Sequence, residues 1–109
     1  MARTIIDIMT GVMASDILLL DITEVTTIAD FFIIATGETE RQRRAIVDQV
    51  TEQMREQHSA RPLAVEGEAS GWLLLDYGAV VIHLFSPEQR SFYRLEELWG
   101  TAKTVVRIA

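Results

Sequence analysis

Hydrophobic residues recur at helical spacing in two stretches of the chain, and each stretch predicts an amphipathic helix. The first helix is predicted over residues 3–14 and the second over residues 39–57. The second pattern is the clearer one, because a Thr39–Gln42 capping box precedes its buried stripe. The apolar positions of the two stretches are Ile5, Ile6, Met9, Val12 and Met13, and then Ile46, Val50 and Met54.

Short apolar runs predict strands. Residues 17–20 and 31–35 are continuously apolar, as is typical of strands that are covered on both faces. Residues 63–66 form a short third strand, and residues 72–76 and 79–85 form two more, joined by a turn at Tyr77-Gly78. Glycine supplies the turn conformation that other residues resist.

A third helix begins at Ser86, with Pro87 at its first position and Gln89 three residues after the cap. Its apolar side chains would share one face, and Gly100 would end it. Those side chains are Phe92, Leu95 and Trp99, with Leu98 beside them.

The order of elements is helix, two strands, helix, three strands, helix. Such a mixed order predicts an α/β fold, a small sandwich in which helices pack on one mixed sheet. We expect a single domain over residues 1–109, with a core of residues 5–100. The tail, residues 101–109, is β-prone but short, and its structure stays open.

The strands on either side of Tyr77-Gly78 have two different faces, because side chains alternate along a strand. Trp72, Leu74 and Asp76 share one face, here called the Trp72 face. A tight turn would place each residue of the first strand opposite one of the second. The expected pairs are Trp72 with His83 and Leu74 with Val81, and on the other face Leu73 with Ile82 and Leu75 with Val80.

The all-aliphatic face is the better candidate for covering by helices. The Trp72 face carries Trp, His and Asp side chains, and tryptophan is favoured at the centres of interfaces. It therefore either binds a partner or forms part of a core covered on both sides. The residues alone leave these two interpretations open.

Charge and composition narrow the function. The 109 residues include 16 acidic and 10 basic side chains, a net charge of −6. This balance argues against binding to a phosphate backbone and permits an acidic face that docks on a basic partner. The absence of cysteine excludes disulfides, thiolate nucleophiles and cysteine-bound zinc. No apolar run approaches the ~18 residues that span a bilayer, so a cytoplasmic or organelle-matrix location is expected.

A search for catalytic motifs indicates that the chain is not an enzyme. It has no glycine-rich phosphate loop, no nucleophile elbow and no Asp-x-Asp pair for a two-metal site. We expect neither a metal nor a cofactor. The aspartates at strand ends favour ordinary turn chemistry, with a ligand-binding carboxylate cluster as the alternative. They are Asp16, Asp21, Asp30 and Asp76.

Two other polar groups have a structural and a functional interpretation. His83 lies in the middle of an apolar strand and is interpreted as a hydrogen-bonded strand residue, with a recognition role as the alternative. Arg41, Arg43 and Arg44 are interleaved with acidic residues, which favours a solvated helix face over a phosphate site.

Three blocks of sequence, in order along the chain, resemble the ribosomal silencing factor family, also called the Iojap-like family. The blocks are residues 29–37 (ADFFIIATG), residues 65–68 (VEGE) with residues 71–83 (GWLLLDYGAVVIH), and residues 92–100 (FYRLEELWG). The resemblance covers nearly the whole chain. It departs at Glu38-Thr39-Glu40, where many relatives carry small residues.

The resemblance implies a fold related to nucleotidyltransferases without their catalytic residues. It implies a protein that binds the large ribosomal subunit through that subunit's fourteenth protein and blocks joining of the small subunit when nutrients run short. A role in large-subunit maturation is the alternative, and a homodimer is expected for the free protein. The predicted partner-binding residues are Glu66, Glu68, Trp72, Leu74, Asp76, Tyr77, Gly78 and His83.

Overall fold

The computed structural model of the protein describes residues 1–67, 71–93 and 103–108, with Phe92 and Tyr93 described by their backbone alone. These ranges contain three helices and six strands. The helices are α1 (Ala2–Gly11), α2 (Glu40–His58) and α3 (Pro87–Tyr93). The strands are β1 (Ser15–Asp21), β2 (Phe31–Thr36), β3 (Ala64–Glu66), β4 (Trp72–Asp76), β5 (Val80–Phe85) and β6 (Lys103–Ile108).

The strands form one sheet in the order β3-β4-β5-β2-β1-β6. β2 and β5 are parallel, and all other neighbours are antiparallel. The predicted mixed α/β fold is confirmed. The tail, whose structure the sequence left open, contributes β6 at the edge of the sheet beside β1. The predicted apolar face of the third helix, beyond Phe92, and its end at Gly100 lie outside the described residues.

α1 and α2 pack together on one face of the sheet, where they bury the larger hydrophobic cluster. Leu73 and Leu75 of β4 and Ile82 of β5 belong to this cluster. The prediction that helices cover the all-aliphatic face is therefore confirmed. The helices contribute Ile5, Ile6, Ile8 and Met9 of α1, and Ile46, Val50 and Met54 of α2.

The start of α2 is stabilised by the predicted capping residues. The Thr39 hydroxyl accepts a hydrogen bond from the Gln42 backbone N–H at 3.0 Å. In return, the Gln42 side-chain oxygen accepts from the backbone N–H of Glu38 at 2.7 Å. These bonds satisfy two backbone donors that a helix start would otherwise leave without a partner. α1, by contrast, ends at Gly11, earlier than predicted, and Met13 has a positive φ of 68°.

The expected pairing of β4 with β5 is wrong by two residues. Asp76 pairs with Val81, so the turn contains residues 77–80 instead of the expected two residues, 77 and 78. This longer turn forms because Asp76 Oδ1 accepts from Gly78 N–H at 2.7 Å and Gly78 takes a φ of +85°. A shift of two preserves the side-chain alternation, so both faces keep their predicted members. The observed pairs are Trp72 with Phe85, Leu73 with Leu84, Leu74 with His83, Leu75 with Ile82 and Asp76 with Val81.

Candidate functional site

The Trp72 face continues across the sheet as a second hydrophobic cluster, on the side opposite α1 and α2. Trp72 and Leu74 pack against the edge of this cluster. Its buried members come from β1, β2, β5 and the β1–β2 loop: Leu18, Leu20, Ile22, Ala29, Phe32, Ile34, Val81 and Phe85. The apolar runs of β1 and β2 are thus buried on both faces, as predicted.

Exposure changes along the Trp72 face from one strand to the next. Val81, His83 and Phe85 of β5 are buried, whereas the three β4 residues that define the face are half-buried. Glu66 of β3 is exposed and lies directly opposite Leu74, so its side chain extends the same face. The interpretation of the face as core is therefore confirmed for its β5 side. The β3–β4 side is half-buried to exposed, and partner binding there stays a prediction.

The Trp72 side chain is held by two aromatic neighbours on β5. Its ring stacks on Phe85, with centroids 5.1 Å apart and planes inclined by 30°. Its indole Nε1–H donates a hydrogen bond to Nδ1 of His83 at 3.2 Å. Phe85 was not singled out from the sequence, although it shares the parity of Val81 and His83 along the strand, a signal that would have placed it on this face.

His83 is a buried histidine, only 5% exposed. Its ring meets Phe32 edge to face at a centroid distance of 4.6 Å. Burial lowers the pKa of His83 to about 4, so the ring is neutral near pH 7. Since Nδ1 accepts from Trp72, the ring proton lies on Nε2, and no described residue provides a hydrogen-bond partner for Nε2. The interpretation of His83 as a hydrogen-bonded strand residue is confirmed.

The other predicted site residues are divided between the two sides of the sheet. Asp76 and Gly78 form the turn at the end of the Trp72 face. Tyr77 instead packs in the α1–α2 cluster on the opposite side, and burial raises the pKa of its hydroxyl. The structure therefore does not bring Tyr77 together with Trp72. Glu68 lies outside the described residues.

The strand-end aspartates take part in local turns. Asp21 Oδ1 accepts from both the backbone N–H and the hydroxyl of Thr23, and these bonds lower the pKa of Asp21. Asp76 makes the equivalent bond to Gly78, so turn chemistry is confirmed for these two carboxylates. Within residues 1–67, 71–93 and 103–108, no group of three or more acidic or histidine side chains could hold a metal ion.

The arginines near the start of α2 have separate roles. Arg44 forms an exposed ion pair with Glu40 at 3.2 Å, as expected of a solvated helix face. Arg43 donates to the backbone carbonyl of Gly37 at 2.7 Å, so this side chain is not part of a solvated face. Its stem also occupies the space that a Cβ at position 37 would need. The sequence did not indicate this packing role.

Arg90 of α3 ties the third helix to the sheet. Its guanidinium donates to the backbone carbonyl of Asp16 at 2.8 Å and to the Thr36 hydroxyl at 3.0 Å. Thr36 pairs with Phe85 and so belongs to the same side of the sheet as the Trp72 face.

Of the helices in the described part of the chain, none is both long and apolar enough to cross a membrane.

Comparison with protein families finds one that matches almost the entire chain. The model of the family described as "Ribosomal silencing factor during starvation" matches residues 1–108. Ribosomal silencing factor RsfS of Bacillus subtilis is 38% identical over 90 residues, which are 82% of this chain and 75% of that protein. The chloroplast protein Iojap of Zea mays is 35% identical over 95 residues, which are 84% of this chain and 40% of that protein.

A mouse protein named "Mitochondrial assembly of ribosomal large subunit protein 1" is 34% identical over 79% of this chain and 39% of its own length. Among solved structures, one from Chromobacterium violaceum superposes with a TM-score of 0.86 at 31% identity. That superposition covers 99% of this chain and 92% of the other. A Bacillus halodurans structure gives a TM-score of 0.81 at 28% identity, with 96% and 95% of the two chains covered.

Proposed function

The chain belongs to the ribosomal silencing factor family, and from this premise we propose that it binds the large ribosomal subunit and keeps the small subunit from joining. The contact we propose is with the fourteenth protein of the large subunit. The consequence is repression of translation when nutrients are limiting. The ribosomal partner sets the proposed place of action in the cytoplasm.

The observation that carries this proposal is the half-buried Trp72 on the same face as the exposed carboxylate of Glu66. A large aromatic side chain on a rigid strand is the kind of group that dominates binding energy at interfaces. Glu66 extends the same face on β3, and Asp76 lies at its end on β4. Two carboxylates beside an apolar centre favour a basic partner, because complementary charge speeds encounter. Ribosomal proteins are commonly basic, so the surface chemistry fits such a partner.

The proposed mechanism is steric. A domain bound on the large subunit occupies space that the small subunit needs, and no bond in a substrate is made or broken. This mechanism requires no cofactor and no metal ion. It also agrees with the regulatory name that the relatives carry.

Maturation of the large subunit is the second candidate function. The mouse relative is named for assembly of the mitochondrial large subunit, which favours this alternative. Both functions would use the same docking surface, so the Trp72 face alone does not separate them. For the free protein we propose a homodimer on the family resemblance, and sedimentation equilibrium tests it.

Co-sedimentation of the purified protein with isolated large and small subunits tests the proposal, with subunit joining followed in the same gradient. Binding to the large subunit together with loss of joined ribosomes is the expected result. Binding without an effect on joining would favour maturation, and cells lacking the protein would then accumulate precursor ribosomal RNA. Failure to bind the large subunit would contradict both functions.

A further inference from the structure

The orientation of the Trp72 ring depends on a side chain that a partner cannot reach. The indole lies on the half-buried β4 strand, at the accessible edge of the Trp72 face. Its N–H is directed inward to Nδ1 of His83, 3.2 Å away, rather than outward to solvent. The hydrogen-bonding end of the indole is thus anchored inside the protein.

His83 is well suited to this anchoring because its own position is closely restricted. It lies in the middle of β5, between Leu74 of β4 and Ile34 of β2. Its ring also contacts Phe32 edge to face. A side chain packed between neighbouring strands and 5% exposed has little rotamer freedom, so the Nδ1 acceptor is held at a defined place.

We propose that His83 is a positioning residue for ribosome docking: it accepts the Trp72 indole N–H and so fixes the orientation in which Trp72 meets the partner. This inference rests on the proposed function. It revises the sequence-based hypothesis that His83 contacts the partner itself, because the ring acts through Trp72. The partner then contacts an indole whose N–H is already hydrogen-bonded, so the contact with the ring is mainly apolar.

The proposal requires a neutral ring with its proton on Nε2, since a protonated Nδ1 cannot accept a hydrogen bond. Burial lowers the pKa of His83 to about 4, which keeps this form dominant near pH 7. This form leaves the buried Nε2–H donor without a hydrogen-bond partner among the described residues, and a buried unpaired donor lowers the stability of the fold. An apolar residue at this position would avoid the cost but would remove the Nδ1 acceptor of the Trp72 indole N–H.

Two substitutions separate the acceptor from the bulk of the ring. His83→Asn places Oδ1 at the position along the side chain that Nδ1 occupies, and it can accept the indole N–H. His83→Leu fills the same space with an apolar side chain and removes the acceptor. Ile82→Val is the matched control, since Ile82 is the adjacent buried residue on β5 and faces α1 and α2.

The first readout is the indole N–H signal of Trp72 in a ¹H–¹⁵N correlation spectrum, assigned by its loss in Trp72→Phe. We expect a shifted, slowly exchanging signal in the wild-type protein, and at least about tenfold faster exchange in His83→Leu. His83→Asn and Ile82→Val should keep the slow exchange. The second readout is affinity for the large subunit, expected to fall by about tenfold in His83→Leu and to recover in His83→Asn.

A folded His83→Leu variant that binds within about twofold of wild type would overturn the proposal, as would weakened binding with an unchanged indole signal. A wild-type indole proton that exchanges as fast as free tryptophan would overturn it too, even if His83→Leu failed to fold. If the wild-type protein did not bind the large subunit, the proposed function would fail. The indole signal would still report on the His83 contact by itself, so the two failures can be told apart.

Discussion

The ring of Trp72 lies against that of Phe85 across the β4–β5 pair, with centroids 5.1 Å apart and 30° between the planes. Phe85 is fully buried, whereas Trp72 is half-buried, so one side of the indole belongs to the hydrophobic cluster and part of it stays accessible. A rigid aromatic group of this kind loses little conformational entropy on binding. This relationship makes Trp72 the central residue of the proposed docking surface.

Trp72→Ala should weaken binding to the large subunit by at least about tenfold, as expected for an interface anchor. It should also lower the free energy of unfolding by about 1–3 kcal/mol, because the partly buried ring packs against the cluster. Urea unfolding measures the free energy of unfolding, and co-sedimentation of the folded variant with the large subunit measures the binding. Met13→Ala is the control, since Met13 is 75% exposed and lies outside the Trp72 face. Normal binding by folded Trp72→Ala would show that the face assignment is wrong.

Glu66→Gln should slow association with the large subunit by about twofold to fivefold at low ionic strength, because rim charges act mainly on encounter rates. The difference should disappear near 1 M salt, where the screening length is about 3 Å. Stopped-flow or surface-plasmon association rates at several salt concentrations measure this. Glu56→Gln removes the same charge from an exposed position on α2 and should leave the rate unchanged. Equal effects of the two variants would indicate that only net charge matters.

The stability of the fold should fall as the pH is lowered from about 6.5 to about 4, because of His83. The unfolded chain protonates this histidine with its ordinary pKa of 6.5, and the folded chain only at a pKa of about 4. The unfolded state therefore binds more protons in this window, and the free energy of unfolding loses about 3 kcal/mol across it.

Urea unfolding of the wild type and of His83→Asn at several pH values measures this term, since other titrating groups are common to both proteins. The stability difference between them should change by about 3 kcal/mol between pH 7 and pH 4. A difference that stays constant with pH would show that His83 titrates normally in the folded protein.

Gly78→Ala should destabilise the protein by about 1–2 kcal/mol, because Gly78 has a φ of +85° that an alanine adopts at a cost. A Cβ there would meet only Leu63 Cδ1 at 3.6 Å, so strain in the backbone rather than a clash is the cause. Gly11→Ala at the end of α1 is the matched comparison: it meets nothing within 4 Å and should stabilise by about 0.5 kcal/mol. Thermal and urea unfolding measure both, and equal effects would refute the backbone argument.

The elements that the sequence predicted well are those governed by neighbours along the chain. Ile46, Val50 and Met54 and the Thr39–Gln42 box define α2, since their spacing and hydrogen bonds are local. The membership of the two faces around Tyr77-Gly78 was likewise predictable, because it depends only on the alternation of side chains. The family resemblance depends on such local blocks, and the family match confirms it.

The register of β4 on β5 depended on the tertiary structure. The Ala79 carbonyl accepts from the backbone N–H groups of Asp30 and Phe31, which come from a distant part of the chain. Those bonds and the Asp76–Gly78 turn make the loop longer than the sequence indicates. The placement of the tail as β6 on β1 is also a pairing between distant segments, for which β-propensity alone is a weak guide.

What the sequence determined by itself was the type of each element, the composition of each sheet face and the acidic character of the chain, because these follow from local periodicity and residue chemistry. Only the tertiary structure decided that Trp72 is half-buried, that Phe85 supports it and that His83 accepts its N–H. Burial and side-chain contact depend on which strands become neighbours, and that is set by the free energy of the whole packed sheet.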